Sequence, residues 1–266
     1  MKSFSYEWKS DKCAEEDGVI VGLSRNHEWM LEWWFTNYSR TNSHPVTFVD
    51  FGDMSPEAKE WCRAHGGLVS LEIDTNLFVV DRSKLTPEAI ALWESTVTGE
   101  DIWKSRQEFF KKPFACLASP YRRTIWLDTD CQVLKSIAPI FAFCNNPQGI
   151  ALAEEPPIVL LKHKQDGLLE PDELEYNTGV VVFERNCSVI PTWARYCVES
   201  STCLRGDQEA LSRWAYENDV HLPSIPMIYN WRANIVPSEE LMQEIVVLHC
   251  LGAYKQLIRR QIGLEQ

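Results

Sequence analysis

The run Thr124-Ile125-Trp126-Leu127-Asp128-Thr129-Asp130 carries the strongest chemical signal in this sequence. An apolar stretch with strand character ends in two carboxylates, one residue apart. Ionised carboxylates are too costly to leave in an apolar interior without a partner. A divalent cation at the strand's C-terminal end supplies one, and open α/β sheets bind their ligands at that end. Hard oxygen ligands suit Mg²⁺ or Mn²⁺ bridging to a phosphate. The pair therefore points to a nucleotide or another phosphorylated compound.

Four further segments bear on that chemistry. The first is Val246 to Lys255, where an apolar strand delivers His249, Gly252 and Lys255 in an H-x-x-G-x-x-K spacing. A neutral imidazole is a good third ligand for Mn²⁺ beside two carboxylates. Gly252 allows close backbone approach, and Lys255 offers a point charge to phosphate. Taken alone, His249 is more often a hydrogen-bonded residue at a strand end; beside the carboxylate pair the balance reverses. The second is Glu175-Tyr176-Asn177-Thr178-Gly179, whose Asn177 has a donor and an acceptor for a sugar hydroxyl, or is a turn residue. In the third, Gly206-Asp207-Gln208, Asp207 reads as a helix N-cap. The same position suits a carboxylate and an amide that grip a sugar and face its reacting carbon. The fourth is Lys111-Lys112, either a solvated face or a phosphate contact on the helix that feeds the acidic strand end.

The elements that must position these residues alternate. Val19-Leu23, Val46-Asp50 and Leu68-Ile73 read as strands. A helix is expected from about Asn26 to Tyr38, capped by Asn26, with its tryptophans mostly in the core. Ser55-Pro56-Glu57 opens a second helix, and Gly66-Gly67 stops it. Asp74 to Glu100 reads as irregular. A helix from about Ile102 to Leu117 leads into the acidic strand. Past Ile150 the pattern turns mixed, with strands at Ile150-Ala153, Thr178-Phe183 and Ile245-His249. Helices follow near Pro191-Glu199 and Asp207-Glu217. The βαβαβ start predicts a mostly parallel sheet with helices on its faces. Residues 1–266 read as one α/β domain: a nucleotide-binding half over about 19–135 and a donor-sugar and acceptor half over about 136–266.

Composition narrows the class. The chain has 266 residues, 45% hydrophobic and 24% charged, enough for a sizeable core. A net charge of -12 argues against nucleic acid or an anionic membrane as bulk partner. Nine cysteines, an odd number without a C-x-x-C pair, suggest buried free thiols in a reduced compartment. Met1 to Trp8 lacks an apolar signal core, and no stretch is apolar enough to span a bilayer, so a cytoplasmic location is expected. Neither G-x-G-x-x-G nor G-x-x-x-x-G-K-[ST] is present, which disfavours nicotinamide dehydrogenases and P-loop kinases.

In this order, the segments KKPFACLASPYRRTIWLDTD, EYNTGVVVF, GDQEAL and LHCLGAYK make the chain resemble GT-A-type glycosyltransferases of the family 8 group, which includes glycogenin and lipooligosaccharide galactosyltransferases. The resemblance runs from Val19 to Lys255. It implies a GT-A, Rossmann-like sheet and a retaining, metal-dependent hexosyl transfer from a nucleotide-sugar, with UDP-sugar the default donor. The acceptor is left open among carbohydrate, lipid-linked and protein classes. It implies that Asp128, Asp130 and His249 hold Mn²⁺, with Mg²⁺ possible, and that Asp128 also lies near the ribose. Lys255, beside Gly252, would bind the distal phosphate. Lys112 would help hold the diphosphate or the donor sugar. Asn177, Asp207 and Gln208 would line the sugar pocket, Asp207 being the candidate nucleophile if one exists.

The turn Leu23-Ser24-Arg25-Asn26-His27-Glu28 departs from the group's pattern of acidic and Asn-Tyr base contacts. Backbone groups of Leu23 and Ser24 are expected to hold the base instead. The segment Val246 to Lys255 is expected to close only over bound nucleotide, because Lys255 otherwise lies among Arg259 and Arg260. Two alternatives are a catalytically silent nucleotide-sugar-binding protein on the same fold and a haloacid-dehalogenase-type phosphatase. The second normally has its D-x-D after the first strand of the fold, whereas here a full βαβαβ unit precedes it.

Overall fold

The computed structural model describes residues 14–78, 81–96 and 102–264. In chain order its strands are β1 (Ala14–Leu23), β2 (Val46–Asp50), β3 (Gly67–Ser70), β4 (Tyr121–Leu127), β5 (Cys131–Val133), β6 (Ile150–Glu154), β7 (Tyr176–Glu184), β8 (Trp231–Arg232) and β9 (Val247–His249). Six of them form one sheet in the order β3-β2-β1-β4-β7-β6. Neighbours from β3 to β4 are parallel, while β7 runs antiparallel to both β4 and β6. A smaller sheet, β5-β9-β8, sits beyond the end of β4.

The helices are α1 (Leu31–Ser39), α2 (Pro56–His65), α3 (Pro87–Thr96), α4 (Ile102–Phe109), α5 (Lys112–Leu117), α6 (Pro157–Gln165), α7 (Val189–Glu199), α8 (Asp207–Glu217), α9 (Glu239–Glu244) and α10 (Lys255–Gln261). They cover both faces of the large sheet, which is why its central strands read as unbroken apolar runs. Successive strand residues point to opposite faces. Val19, Val21, Leu23, Ile125 and Leu127 pack with Trp34 and Tyr38 of α1 and with Ile258 of α10. Ile20, Trp126 and Val181 pack with Phe114 of α5, Trp193 of α7 and Leu211 of α8. Trp33 and Trp34 belong to this core as expected, and Trp34 stacks on Tyr38 at 5.3 Å. Among the described residues no helix is long and apolar enough to cross a membrane.

Several expected elements differ. The helix drawn from Asn26 splits into a 3-10 stretch, Arg25–Met30, and α1. Ser24, not Asn26, stands at its N-cap position, and Asn26 donates to Glu108 Oε1 at 3.3 Å. The first turn is held by one local and two long-range bonds: Ser24 Oγ meets His27 Nδ1 at 3.0 Å, and the Glu28 carboxylate accepts from Ser55 N–H and Oγ. The helix drawn through Ile102–Leu117 breaks after Phe109, because Pro113 has no N–H and its ring clashes with the carbonyl four residues back.

The stretch from Asp74 is more ordered than expected. It contains α3, opened by Thr86, whose Oγ1 accepts from Ala89 N–H at 3.2 Å, with Pro87 in the first turn. That is the signal that opens α2, where Ser55 Oγ accepts from Ala58 N–H. The third strand stops at Ser70, and the last one is confined to Val247–His249.

Candidate active site

The acidic turn is built by strand pairing. Asp128 N–H donates to Gly179 O on β7 at 2.9 Å, and Cys131 N–H closes the turn on Asp128 O at 3.0 Å. The chain reverses into β5, which pairs with β9 in the register Cys131 to His249. Cys250 N–H then donates to Asp130 O at 2.9 Å. This ladder brings His249 beside Asp130. His249 Nε2 lies 3.1 Å from Asp130 Oδ1 and 3.7 Å from Asp128 Oδ2. The ring is 1% exposed, and only a glycine fits under it: a Cβ at Gly179 would sit 2.1 Å from His249 Cε1.

Among the described residues neither His249 Nε2 nor Asp130 Oδ1 has a hydrogen-bond partner, although both are buried. Such groups are rarely left unsatisfied. A divalent cation satisfies both at once, so the residues present fit one. Cys131 lies within 4.8 Å of the same atoms. Its thiol is a poor ligand for a hard ion, because burial pushes its pKa well up and the sulfur donates to Gly179 O at 3.6 Å. Asp128 is the better third ligand. Burial tends to raise the pKa of Asp130, but Lys255 and His249 outweigh it and hold the carboxyl well below the usual range.

On the other side of Asp128 stands Lys112. Its ammonium lies 3.0 and 3.1 Å from the Asp128 oxygens and 3.3 Å from Asp207 Oδ2, and it donates to Thr178 O and Oγ1, each at 3.1 Å. Burial tends to lower its pKa; the two carboxylates overcome this and keep the ammonium charged. Trp126 Nε1 holds Asp128 Oδ1 at 2.6 Å. Asp207 is not the N-cap expected from the sequence. Gly206 occupies that position in extended backbone, and the Asp207 side chain accepts from Thr178 Oγ1 at 2.8 Å. The carboxylate turns inward because Lys112 and Thr178 are there to meet it. Burial, and then the charge of Asp128, push its pKa up against the pull of Lys112.

Two hollows share Lys112 and Asp128 in their walls. The larger, about 330 Å³, also takes in Asp207, Gln208, His249 and Gly252. The smaller, about 80 Å³, includes Asp130 and Lys255 together with Gly22, Phe51, Glu108 and Trp126. Gly22 is needed there, since its Cβ would meet Phe51 Cζ at 2.3 Å and Trp126 Cη2 at 2.6 Å. The structure thus gathers Lys112, Asp128, Asp130, Asp207, Gln208, His249, Gly252 and Lys255 around one cleft.

Three expected contacts are placed elsewhere. Asn177 is 2% exposed and lies behind the cleft wall. Its amide is engaged by Glu155, Gly179 N–H and Asn230. Leu23 and Ser24 are buried, and their carbonyls accept from Phe51 N–H and His27 N–H. The hollow beside them is walled instead by side chains of Phe51, Trp126, His27 and Glu108. Lys255 is not repelled into solvent, because its ammonium lies 3.4 Å from Asp130 Oδ2, while Arg259 packs over Trp29 at 4.4 Å.

The sequence reading missed Glu155 and Glu175, both held by Gln208 Nε2 at 3.1 and 2.9 Å. It also missed His163, Arg205 and Arg232 at the cleft. Glu155 had a usable signal. With Glu154 it forms a carboxylate pair right after the apolar run Ile150-Ala153, as Asp128 and Asp130 come after Ile125-Leu127.

The fold is the GT-A fold, and solved glycosyltransferase structures share it. Galactosyltransferase LgtC, in complex with donor and acceptor sugar analogues, is 12% identical over 90% of this chain and 88% of that one, with a TM-score of 0.56. The bifunctional glycosyltransferase WbbM is 13% identical over 92% of this chain and 46% of its own, at 0.57. Core-mannan synthase A from Aspergillus fumigatus, in an Mn/GDP form, is 10% identical over 80% and 73%, at 0.51. No protein-family model and no curated protein sequence matches the chain.

Proposed function

We propose that the protein is a metal-dependent, retaining hexosyltransferase that takes its sugar from a nucleotide-sugar, UDP-sugar being the first choice. The observation that carries this reading is the buried pair His249 Nε2 and Asp130 Oδ1, 3.1 Å apart and each without a hydrogen-bond partner among the described residues. The glycosyltransferase neighbours support glycosyl transfer on this fold, and the Mn/GDP form of one of them supports a cation and a nucleoside diphosphate. Retention of configuration rests on the resemblance of the D-x-D, N-T-G, D-Q and H-x-x-G-x-x-K segments.

Asp128, Asp130 and His249 would hold Mn²⁺, or Mg²⁺, which when bound supplies Lewis-acid stabilisation of the departing diphosphate. The chain's own groups do the rest. Phe51 and Trp126 wall the hollow that receives the nucleoside. Lys255, beyond Gly252, gives a phosphate oxygen a positive charge. Lys112 spans the diphosphate end and the sugar end of the cleft. Asp207 lies next to it, where its carboxylate faces positive charge developing at the anomeric carbon. Gln208 is fixed by Glu155 and Glu175, so its position is set before a sugar arrives. The eight free cysteines among the described residues, seven of them buried, support a reducing compartment, and we place the protein in the cytoplasm.

The test is incubation with Mn²⁺ and a panel of UDP- and GDP-sugars, following nucleotide release by slow hydrolysis. Release of UDP that stops on chelation is expected, with no turnover of phosphomonoesters. Cation-independent binding without release would favour a silent nucleotide-sugar-binding protein. Phosphomonoester hydrolysis would favour a phosphatase.

A further inference from the structure

We infer that Asn230 fixes His249 as the Nδ1–H tautomer, and that Asn177 fixes Asn230, so that Nε2 is bare before any cation arrives. The functional meaning rests on His249 being a cation ligand. The tautomer itself follows from hydrogen bonds within the chain.

The derivation starts at groups whose roles have no freedom. Gly179 N–H can only donate, and it lies 2.9 Å from one arm of the Asn177 amide, so that arm is Oδ1. The other arm is therefore Nδ2, and it meets Glu155 Oε1 at 2.8 Å. That oxygen also accepts from Arg232, a residue with donors only, which agrees with the assignment. Asn230 is read in the same way. One of its arms lies 2.8 Å from Asn177 Oδ1 and 3.3 Å from Asn177 O. Both are acceptors, so that arm is Nδ2. The remaining arm is Oδ1, and it lies 2.9 Å from His249 Nδ1. An amide oxygen only accepts, so Nδ1 carries the hydrogen. A neutral imidazole has one such hydrogen, which leaves Nε2 with a lone pair aimed at the Asp130 side.

Topology keeps the chain of amides in place. Asn177 is on β7, two residues before the glycine on which the ring rests. Asn230 immediately precedes β8, and Arg232 of β8 pairs with His249 of β9. Without this relay a neutral His249 would populate both tautomers, and one of them points an N–H at the cation position. Asn230 and Asn177 are therefore positioning residues. Partners of this kind typically change metal affinity by about 10–100-fold when removed.

The experiment is long-range ¹H–¹⁵N spectroscopy of the His249 ring in the metal-free protein, at a pH where the ring is neutral. Wild type should show Nδ1–H. Asn230→Leu should shift the ring towards Nε2–H and weaken Mn²⁺ binding in the presence of UDP by about 10–100-fold. Asn230→Asp keeps an acceptor at Nδ1 and should keep the wild-type tautomer, which a merely structural role would not predict. An Nε2–H tautomer in wild type overturns the inference, and that measurement needs no variant to fold. An unchanged tautomer in Asn230→Leu overturns it too. A shifted tautomer with unchanged Mn²⁺ affinity supports the relay and overturns His249 as a ligand.

Discussion

Lys112 Nζ lies 3.0 Å from an oxygen of Asp128 and 3.3 Å from one of Asp207, so one ammonium joins the end of β4 to the start of α8. In the proposed reaction these ends would serve different tasks, the diphosphate and the sugar. The same side chain that would contact the donor also neutralises two carboxylates in the folded protein.

That double role sets the outcome of Lys112→Met. Asp207 is 4% exposed and would be left near Asp128 without a countercharge. Removing one partner of a buried ion pair costs about 3–5 kcal/mol. Urea unfolding should show a loss on that scale, and calorimetry should show weaker binding of UDP with Mn²⁺. Wild-type stability in the variant would mean that Lys112 is a ligand contact only.

Asp207→Asn separates binding from chemistry. An amide there can still accept from Thr178 Oγ1, while the negative charge that the proposed reaction would place beside the sugar is gone. Affinity for UDP with Mn²⁺ should stay near wild type, and sugar transfer or donor hydrolysis should fall by about 10²–10³-fold. Full turnover in Asp207→Asn would reduce Asp207 to a partner of Lys112.

Much of this site was legible in the sequence, for a physical reason. A carboxylate at the end of an apolar run is expensive wherever the chain goes next, so Asp128 and Asp130 announced themselves. Gly179 and His249 were legible as motif members, although the reason for the glycine, the ring packed on it, needed the structure. Asn177 shows the limit. An amide has donors and an acceptor, and its type says nothing about whether they face a sugar or the protein. Its partners Glu155 and Asn230 come from separate parts of the chain, and their approach is a matter of tertiary packing. The parallel start of the sheet followed from the βαβαβ order, but the reversal of β7 between β4 and β6 left no local signal. By contrast, α3 and the break at Pro113 were written in Thr86-Pro87-Glu88 and in the proline itself.

Asp50, at the end of β2, predicts part of the acid sensitivity. Burial tends to raise its pKa, but Lys59 at 2.8 Å and the N–H groups of Gly52 and Met54 hold it below the usual carboxylate range. A depressed folded pKa stabilises the protein above the unfolded value, about 3.9. This contribution is lost as the pH falls through the folded value. Asp50→Asn should therefore cost about 1.5–3 kcal/mol at neutral pH. The gap to wild type should narrow in acid. Urea midpoints measured from about pH 6 down to about pH 2 check this. A gap that stays constant with pH would contradict it.

On the proposed metal site, Lys255 and a cation would compete for Asp130. The ammonium lies 3.4 Å from Asp130 Oδ2, so it supplies part of the countercharge that a cation would bring. Binding of the cation would release Lys255 towards the diphosphate, whose negative charge then holds it. Lys255→Ala should consequently shift two affinities in opposite directions. Binding of Mn²⁺ alone should tighten, because Asp130 is no longer shared. Binding of UDP in saturating Mn²⁺ should weaken, because a phosphate loses a positive neighbour. Asp130→Ala is the control and should weaken both. Calorimetry on the three proteins reads all of these. If Lys255→Ala weakens Mn²⁺ binding without nucleotide, Lys255 supports the site and does not compete for it. Its ion pair with Asp130 would then persist when the donor is bound.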